Sequence, residues 1–148
     1  MTINNKKVFH DYAIVDRVEA GIVLTGSEVK AIRAGRANLR DSYIRIDRGE
    51  AYLIQAHISQ LEETNRHFGH DEIRKRKLLL HRKELDKLFG KVSKTALTLV
   101  PTKMYINKKN LIKVEVGLAE GKKLHDKRNS LKEKSMKRDM DRARKEFN

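Results

Sequence analysis

Apolar and polar residues alternate along most of this chain, and the alternation breaks at a few glycines and charged turns. Tyr12 to Val18 and Gly21 to Thr25 are alternating, β-branched runs separated by Glu19, Ala20 and Gly21, a pattern that predicts the two strands of a hairpin. Gly26 and Ser27 stop the pattern. Ser27 is placed to cap a short helix, Glu28 suits the positive end of its dipole, and Gly35 ends it after Ala34, with Val29 and Ile32 turned to the core. Tyr43 to Ile46 and Ala51 to Ile58 flank Asp47-Arg48-Gly49-Glu50, so a second hairpin follows. After a polar interval, Leu85, Leu88 and Phe89 share one face of a helix that Gly90 is expected to close. A third hairpin joins Ala96 to Tyr105 and Leu111 to Leu118 across Asn107-Lys108-Lys109-Asn110. Its second strand turns Ile112, Val114, Val116 and Leu118 one way and Lys113 and Glu115 the other.

Three hairpins broken by short helices predict a mainly β body with peripheral helices, over residues 1–120. A closed antiparallel barrel of the oligonucleotide-binding type suits the pattern, because closure removes exposed strand edges. Strand order is not readable from one sequence, and a split β-sandwich accommodates the same strands. A chain of 148 residues fits one such body with an appendage.

Charge changes the picture. The chain carries 34 Lys and Arg against 20 Asp and Glu, a formal charge of +14, which calls for a polyanionic partner, nucleic acid by default, or a reason for a merely soluble basic protein to tolerate self-repulsion. Residues 121–148 hold 11 of those basic residues and 5 of the acidic ones, with little apolar area. Such a tail cannot offset its ordering entropy in free solution, so it is expected to be disordered when free and to fold as a helix when counterion release on a polyanion supplies the balance. A purely electrostatic tether is the other reading of the same composition. In helical projection Met136, Met140, Ala143 and Phe147 form one narrow stripe of the tail. Within the body, Arg74-Lys75-Arg76-Lys77 precedes Leu78-Leu79-Leu80. If those leucines are buried, the charges form a fixed phosphate-binding patch that Lys30, Arg33, Arg36 and Arg40 extend; a solvated turn is the alternative. With 4 Tyr and 4 Phe, recognition of folded RNA by shape and phosphates suits the chain better than serial stacking of single-stranded bases.

Chemistry of other kinds finds little support. The absence of cysteine removes disulfides, thiolate zinc sites and thiol nucleophiles. His67, His70, Asp71 and Glu72 offer zinc-compatible side chains without a third ligand at a defined spacing. His125 and Asp126 resemble a base with its orienting carboxylate, but a tail supplies no cavity to fix them. The chain contains no nucleophile elbow, phosphate-cradling glycine loop or HExxH. No enzyme and no cofactor are expected. The N-terminus lacks the apolar region of a signal peptide, and no run reaches the ~18 apolar residues of a membrane helix, so a cytoplasmic protein without a membrane partner is expected.

Several long blocks resemble a known family. LTGSEVKAIRAGRANLRDSYIRI at Leu24 to Ile46, RKLLLHRKELDKLFGKV at Arg76 to Val92, TLVPTKMY at Thr98 to Tyr105, KVEVGLAEGKKLHDKR at Lys113 to Arg128 and NKKVFHDY at Asn5 to Tyr12 are similar to the small protein B family. These are the SsrA-binding proteins that partner transfer-messenger RNA. The resemblance implies an oligonucleotide-binding-type barrel that binds the tRNA-like domain of that RNA, stands in for its missing anticodon stem, and delivers it to ribosomes stalled without a stop codon. By resemblance Asn5, Lys7, Glu28, Lys30, Arg33, Asn38, Arg76 and Lys77 form the RNA-facing set. The tail then enters the empty mRNA channel against small-subunit ribosomal RNA. Gly121 acts as pivot, Lys122 and Lys123 as phosphate ligands, His125 as a stacking group, and Asp126, Lys127 and Arg128 as decoding-centre contacts. A monomer is expected.

Overall fold

The computed structural model describes residues 2–60 and 70–121. In chain order the elements are β1 (Thr2–Asn4), α1 (Lys6–Asp11), β2 (Tyr12–Ile22), α2 (Gly26–Arg33), β3 (Ala37–Asn38), β4 (Tyr43–Asp47), β5 (Glu50–Ile54), β6 (His57–Ile58), β7 (Arg76–Leu79), α3 (Arg82–Lys94), β8 (Thr98–Ile106) and β9 (Ile112–Gly121). The larger sheet orders its strands β1-β8-β4-β5-β7-β2-β9, and β8 also pairs with β9. Following the pairings from β8 through β4, β5, β7, β2 and β9 therefore leads back to β8. A second small sheet joins β3 to β6.

The second and third hairpins form where the pattern predicts them. Arg48 and Gly49 connect β4 to β5 with φ of 52° and 76°, the paired positive angles of the turn that matches strand twist. In β9, Val114, Val116 and Leu118 are buried while Lys113 and Glu115 stay partly exposed. These side chains meet Leu53, Ile58, Leu78, Met104 and Ile32 in one core. Each such aliphatic residue contributes about 1.5–3 kcal/mol by leaving water.

The first hairpin is not there. Tyr12 to Ile22 is one strand, and the supposed turn is paired throughout: Glu19 with Glu115, Ala20 with Val114, Gly21 with Lys113. Gly21 lacks the positive φ of a tight turn; a Cβ there would lie 3.3 Å from the Leu79 Cβ on β7. The glycine answers close strand approach, not chain reversal. Thr25, not Ser27, caps α2, in a capping box with Glu28. Val29 is only half-buried, and Ala31 joins Ile32 in the core. Strand β5 stops at Ile54, and His57–Ile58 crosses to pair with β3. Helix α3 runs through Gly90 to Lys94, because Val92 prolongs the apolar stripe; Thr95 ends it by donating its hydroxyl to the Lys91 carbonyl at 2.6 Å. Phe89 is left 54% exposed.

Two register slips shape the β2-β9-β8 region, one between Ile14 and Asp16 and one between Pro101 and Lys103. The second turns Thr102 inward, where its Cγ2 stands 2.8 Å from the position a Cβ on Gly117 would occupy. Gly117→Ala is expected to destabilise the fold by about 1–3 kcal/mol through this overlap. A Thr102→Ser change, which removes the methyl, should restore most of that loss, and thermal melts of the single and double variants check it.

Candidate nucleic-acid interface

Cations in and just before β7 are matched by carboxylates of the protein itself. In β7 the side chains alternate, so Arg76 and Leu78 point in while Lys77 and Leu79 point out. The Arg76 side chain is fully buried, and all five of its N–H groups have acceptors: Glu28 Oε2 at 2.6 Å and the carbonyls of Ala56, Arg74, Asp71 and Glu72 at 2.8–3.1 Å. Glu28 is equally buried. Its oxygens accept from Arg74 Nη2 and Arg76 Nε at 2.6 Å, from Arg74 Nε at 3.0 Å and from the Thr25 N–H at 2.8 Å. Burial alone would raise the Glu28 pKa, but Arg74, the Thr25 N–H and Arg76 together outweigh it and hold the carboxyl at about 2. Lys75 lies 4.0 Å from Asp47 and over the Tyr52 ring, and Lys77 lies 3.5 Å from Glu50. The run from Arg74 to Lys77 is thus mostly engaged within the fold and is not the free phosphate patch that three buried leucines implied. Leu79 itself is 53% exposed.

The other cations stand differently. Lys30 and Arg33 occupy one exposed face of α2. Arg33 donates to the Asn110 carbonyl at 3.3 Å, which draws the Lys108–Lys109 turn beside the helix. Arg36, Asn38 and Arg40 continue the exposed surface, and Asn38 Oδ1 fixes the local turn by accepting the Arg40 N–H at 2.8 Å. Lys7 joins this belt through Asp41 at 2.6 Å. Beneath it, Asn5 is buried and donates through Nδ2 to the carbonyls of Leu39 and Pro101, at 3.1 and 2.9 Å. A cavity of about 460 Å³ opens beside Asn5, Lys7 and Asp41.

Of the eight body residues expected to face RNA, the structure therefore brings Lys7, Lys30, Arg33 and Asn38 to one exposed belt and leaves Lys77 on a separate strand face. Asn5, Glu28 and Arg76 are enclosed and bonded to the elements around them. Gly121 ends β9 opposite Tyr12; Lys122, Lys123, His125, Asp126, Lys127 and Arg128 lie outside the described residues, as does His67. His70 is buried with both ring nitrogens engaged, to Ser27 Oγ at 2.8 Å and the Ile58 carbonyl at 2.7 Å, which removes it as a metal ligand. No group of three or more potential ligands is placed to hold a metal ion among the described residues.

Sequence reasoning missed one surface. On the outer face of β7, β2 and β9, exposed Leu79 sits against Gly21, Gly21 faces Lys113, and Lys113 faces Tyr105 across to β8. The Tyr105 hydroxyl donates to Glu19, and burial together with that carboxylate pushes the phenol pKa up to about 12. The signal was available in RKLLL, where period-two alternation puts Leu79 outward once Arg76 is inward.

Fold and surface together define a class: a small, mainly β module whose free charge is cationic. Within that class the comparisons are specific. Residues 2–146 match the family model of the SmpB protein. An SsrA-binding protein of a Nitratiruptor species is 59% identical over 143 residues, covering 97% of this chain and 95% of the relative. One from Campylobacter fetus subsp. fetus is 61% identical over 130 residues, covering 88% and 86%. A solved structure described as "tmRNA-SmpB: a journey to the center of the bacterial ribosome" superposes with a TM-score of 0.69 at 45% identity, over 82% of this chain and 84% of that one. The chain belongs to the SmpB protein family.

The Glu28 pKa sets a pH dependence with a definite sign. Its folded value of about 2 lies below the ordinary carboxylate value of roughly 4.3, so its stabilisation is complete above the ordinary value and is lost as pH falls toward 2. Glu28→Gln keeps the shape and leaves Arg76 uncompensated, which should cost about 3–5 kcal/mol near neutral pH in a urea titration. The gap between parent and variant should narrow as pH drops through that window; a constant gap contradicts the linkage.

Proposed function

We propose that this protein is an RNA-binding adaptor of trans-translation. It grips the tRNA-like domain of transfer-messenger RNA and brings that RNA to ribosomes stalled without a stop codon, enabling rescue and peptide tagging. The observation that carries this reading is similarity along residues 2–146 to the SmpB family, together with the likeness to the tmRNA-SmpB structure. It acts in the cytoplasm as a monomer and performs no catalysis of its own.

In this reading residues 1–120 are a closed barrel of the oligonucleotide-binding type; the circuit of strand pairings supports closure. Lys7, Lys30, Arg33 and Asn38 meet the RNA directly, Lys77 joins them from the strand face, and Leu79 and Lys113 add a second, partly apolar contact. Asn5, Glu28 and Arg76 position these residues. From the pivot at Gly121, residues 122–148 enter the empty mRNA channel and order as a helix there, with Lys122, Lys123, His125, Asp126, Lys127 and Arg128 against small-subunit ribosomal RNA.

Replacing Lys30 and Arg33 by Ala should weaken binding to the tRNA-like RNA and lower the slope of log affinity against log salt by about one per residue. At matched salt, ordinary tRNA should compete poorly with that RNA; equal competition would mark a binder that reads charge alone. A chain ending at Gly121 should bind the tRNA-like RNA almost as the full chain does and lose tagging of stalled peptides. Retained tagging defeats the role given to the tail.

A further inference from the structure

The groove between the end of α3 and the β4-β8 seam holds features that the belt and the outer strand face do not use. Strands β4 and β8 are joined through the single pair Ile44 and Leu99 and diverge from it. The last turn of α3 and the Thr95–Leu97 link cover the gap, leaving a cavity of about 560 Å³. Its mixed lining includes Ile46, Val92 and Leu97, together with Phe89, which has 54% of its surface in water. Core packing does not require that exposure, since Leu85 and Leu88 already supply the buried face of α3.

The charges at the groove are available to a ligand. Arg45 and Lys94 line it, both exposed, and neither is in an ion pair among the described residues. By contrast Lys75, Lys77, Arg82 and Lys91 all have carboxylate partners within 4.0 Å. A half-exposed aromatic ring beside two unmatched cations is the chemistry that takes a nucleobase on the ring and a phosphate on the cation. The carbonyl end of α3 repels an anion placed directly on it, so the phosphate belongs on the Arg45 side, with Lys94 offsetting the dipole. Tyr43 lines this groove and also the cavity beside Lys7, so a strand lying here continues toward the exposed belt.

We propose that this groove binds an unpaired stretch of RNA, stacking a base on Phe89 and holding the adjoining phosphate with Arg45, as a contact separate from the grip on a folded RNA domain. The proposal rests on the RNA-binding reading above.

The test uses the full chain with a short oligoadenylate as probe. Addition should shift the ring signals of Phe89 and Tyr43 in a ¹³C-labelled protein. Phe89→Leu keeps an apolar side chain for packing and removes the aromatic face. It should weaken oligoadenylate binding at least about fivefold with an unchanged salt slope, and Phe89→Tyr should restore it. Arg45→Ala should lower the salt slope by roughly 0.7. Affinity for the folded tRNA-like RNA should change less than twofold in all three variants. Unmoved ring signals, or a Phe89→Leu protein that binds oligoadenylate like its parent, overturns the proposal; so does an acidic peptide that shifts the same signals at lower concentration. Failure of the adaptor reading shows elsewhere, as unaltered binding of the tRNA-like RNA when Lys30 and Arg33 are replaced.

Discussion

One carboxylate shared by two guanidinium groups organises this molecule. Glu28 projects from the first turn of α2 into the interior, receives Arg76 from β7 and Arg74 from the segment before it, and closes the capping box of its own helix. Arg76 in turn ties down the carbonyls of Ala56, Asp71 and Glu72, so the small β3-β6 sheet and the approach to β7 are held from the same point. Two buried charges persist here because every donor and acceptor between them is matched; with one bond missing, desolvation would outweigh attraction. The consequence is mechanical. Lys30 and Arg33 ride on the helix that Glu28 anchors, so their spacing and direction are set from the interior.

A second pattern follows from where charge is cancelled and where it is left. The net +14 suggests a surface basic everywhere, yet some cations on and beside the strands are paired locally: Lys75 with Asp47, Lys77 with Glu50, Arg17 with Glu115. Such exposed pairs add little stability. Their effect is to lower the field beside β7, while exposed cations without a carboxylate partner among the described residues remain on α2, at Arg36 and on the Lys108–Lys109 turn.

Local rules made part of this legible in sequence. Asp47-Arg48-Gly49-Glu50 and the alternation from Ile112 to Leu118 are satisfied by near neighbours, and both hairpins form at those turns, the β4-β5 one with a shorter return strand. Gly21 and Gly90 misled, because glycine marks turns and helix ends only when nothing distant demands it. Gly21 is required by Leu79, on a strand far along the chain, and Gly90 is overruled by the Val92 contact. The capping box was readable as Thr25-Gly-Ser-Glu28, and Ser27 diverted attention from it. Arg76 is the instructive miss in the site. A basic run ahead of leucines reads as a phosphate patch or a solvated turn until its carboxylate is known, and that carboxylate lies 48 residues earlier. Family blocks place Asn5, Glu28 and Arg76 among the RNA-facing residues; the structure encloses all three.

The last described residue, Gly121, is still bonded into the sheet opposite Tyr12, directly after α1 and within one short helix of Lys7. The exit point of the following segment is therefore set by a rung of backbone ladder, and residues inserted before Gly121 would shift that point relative to Lys7.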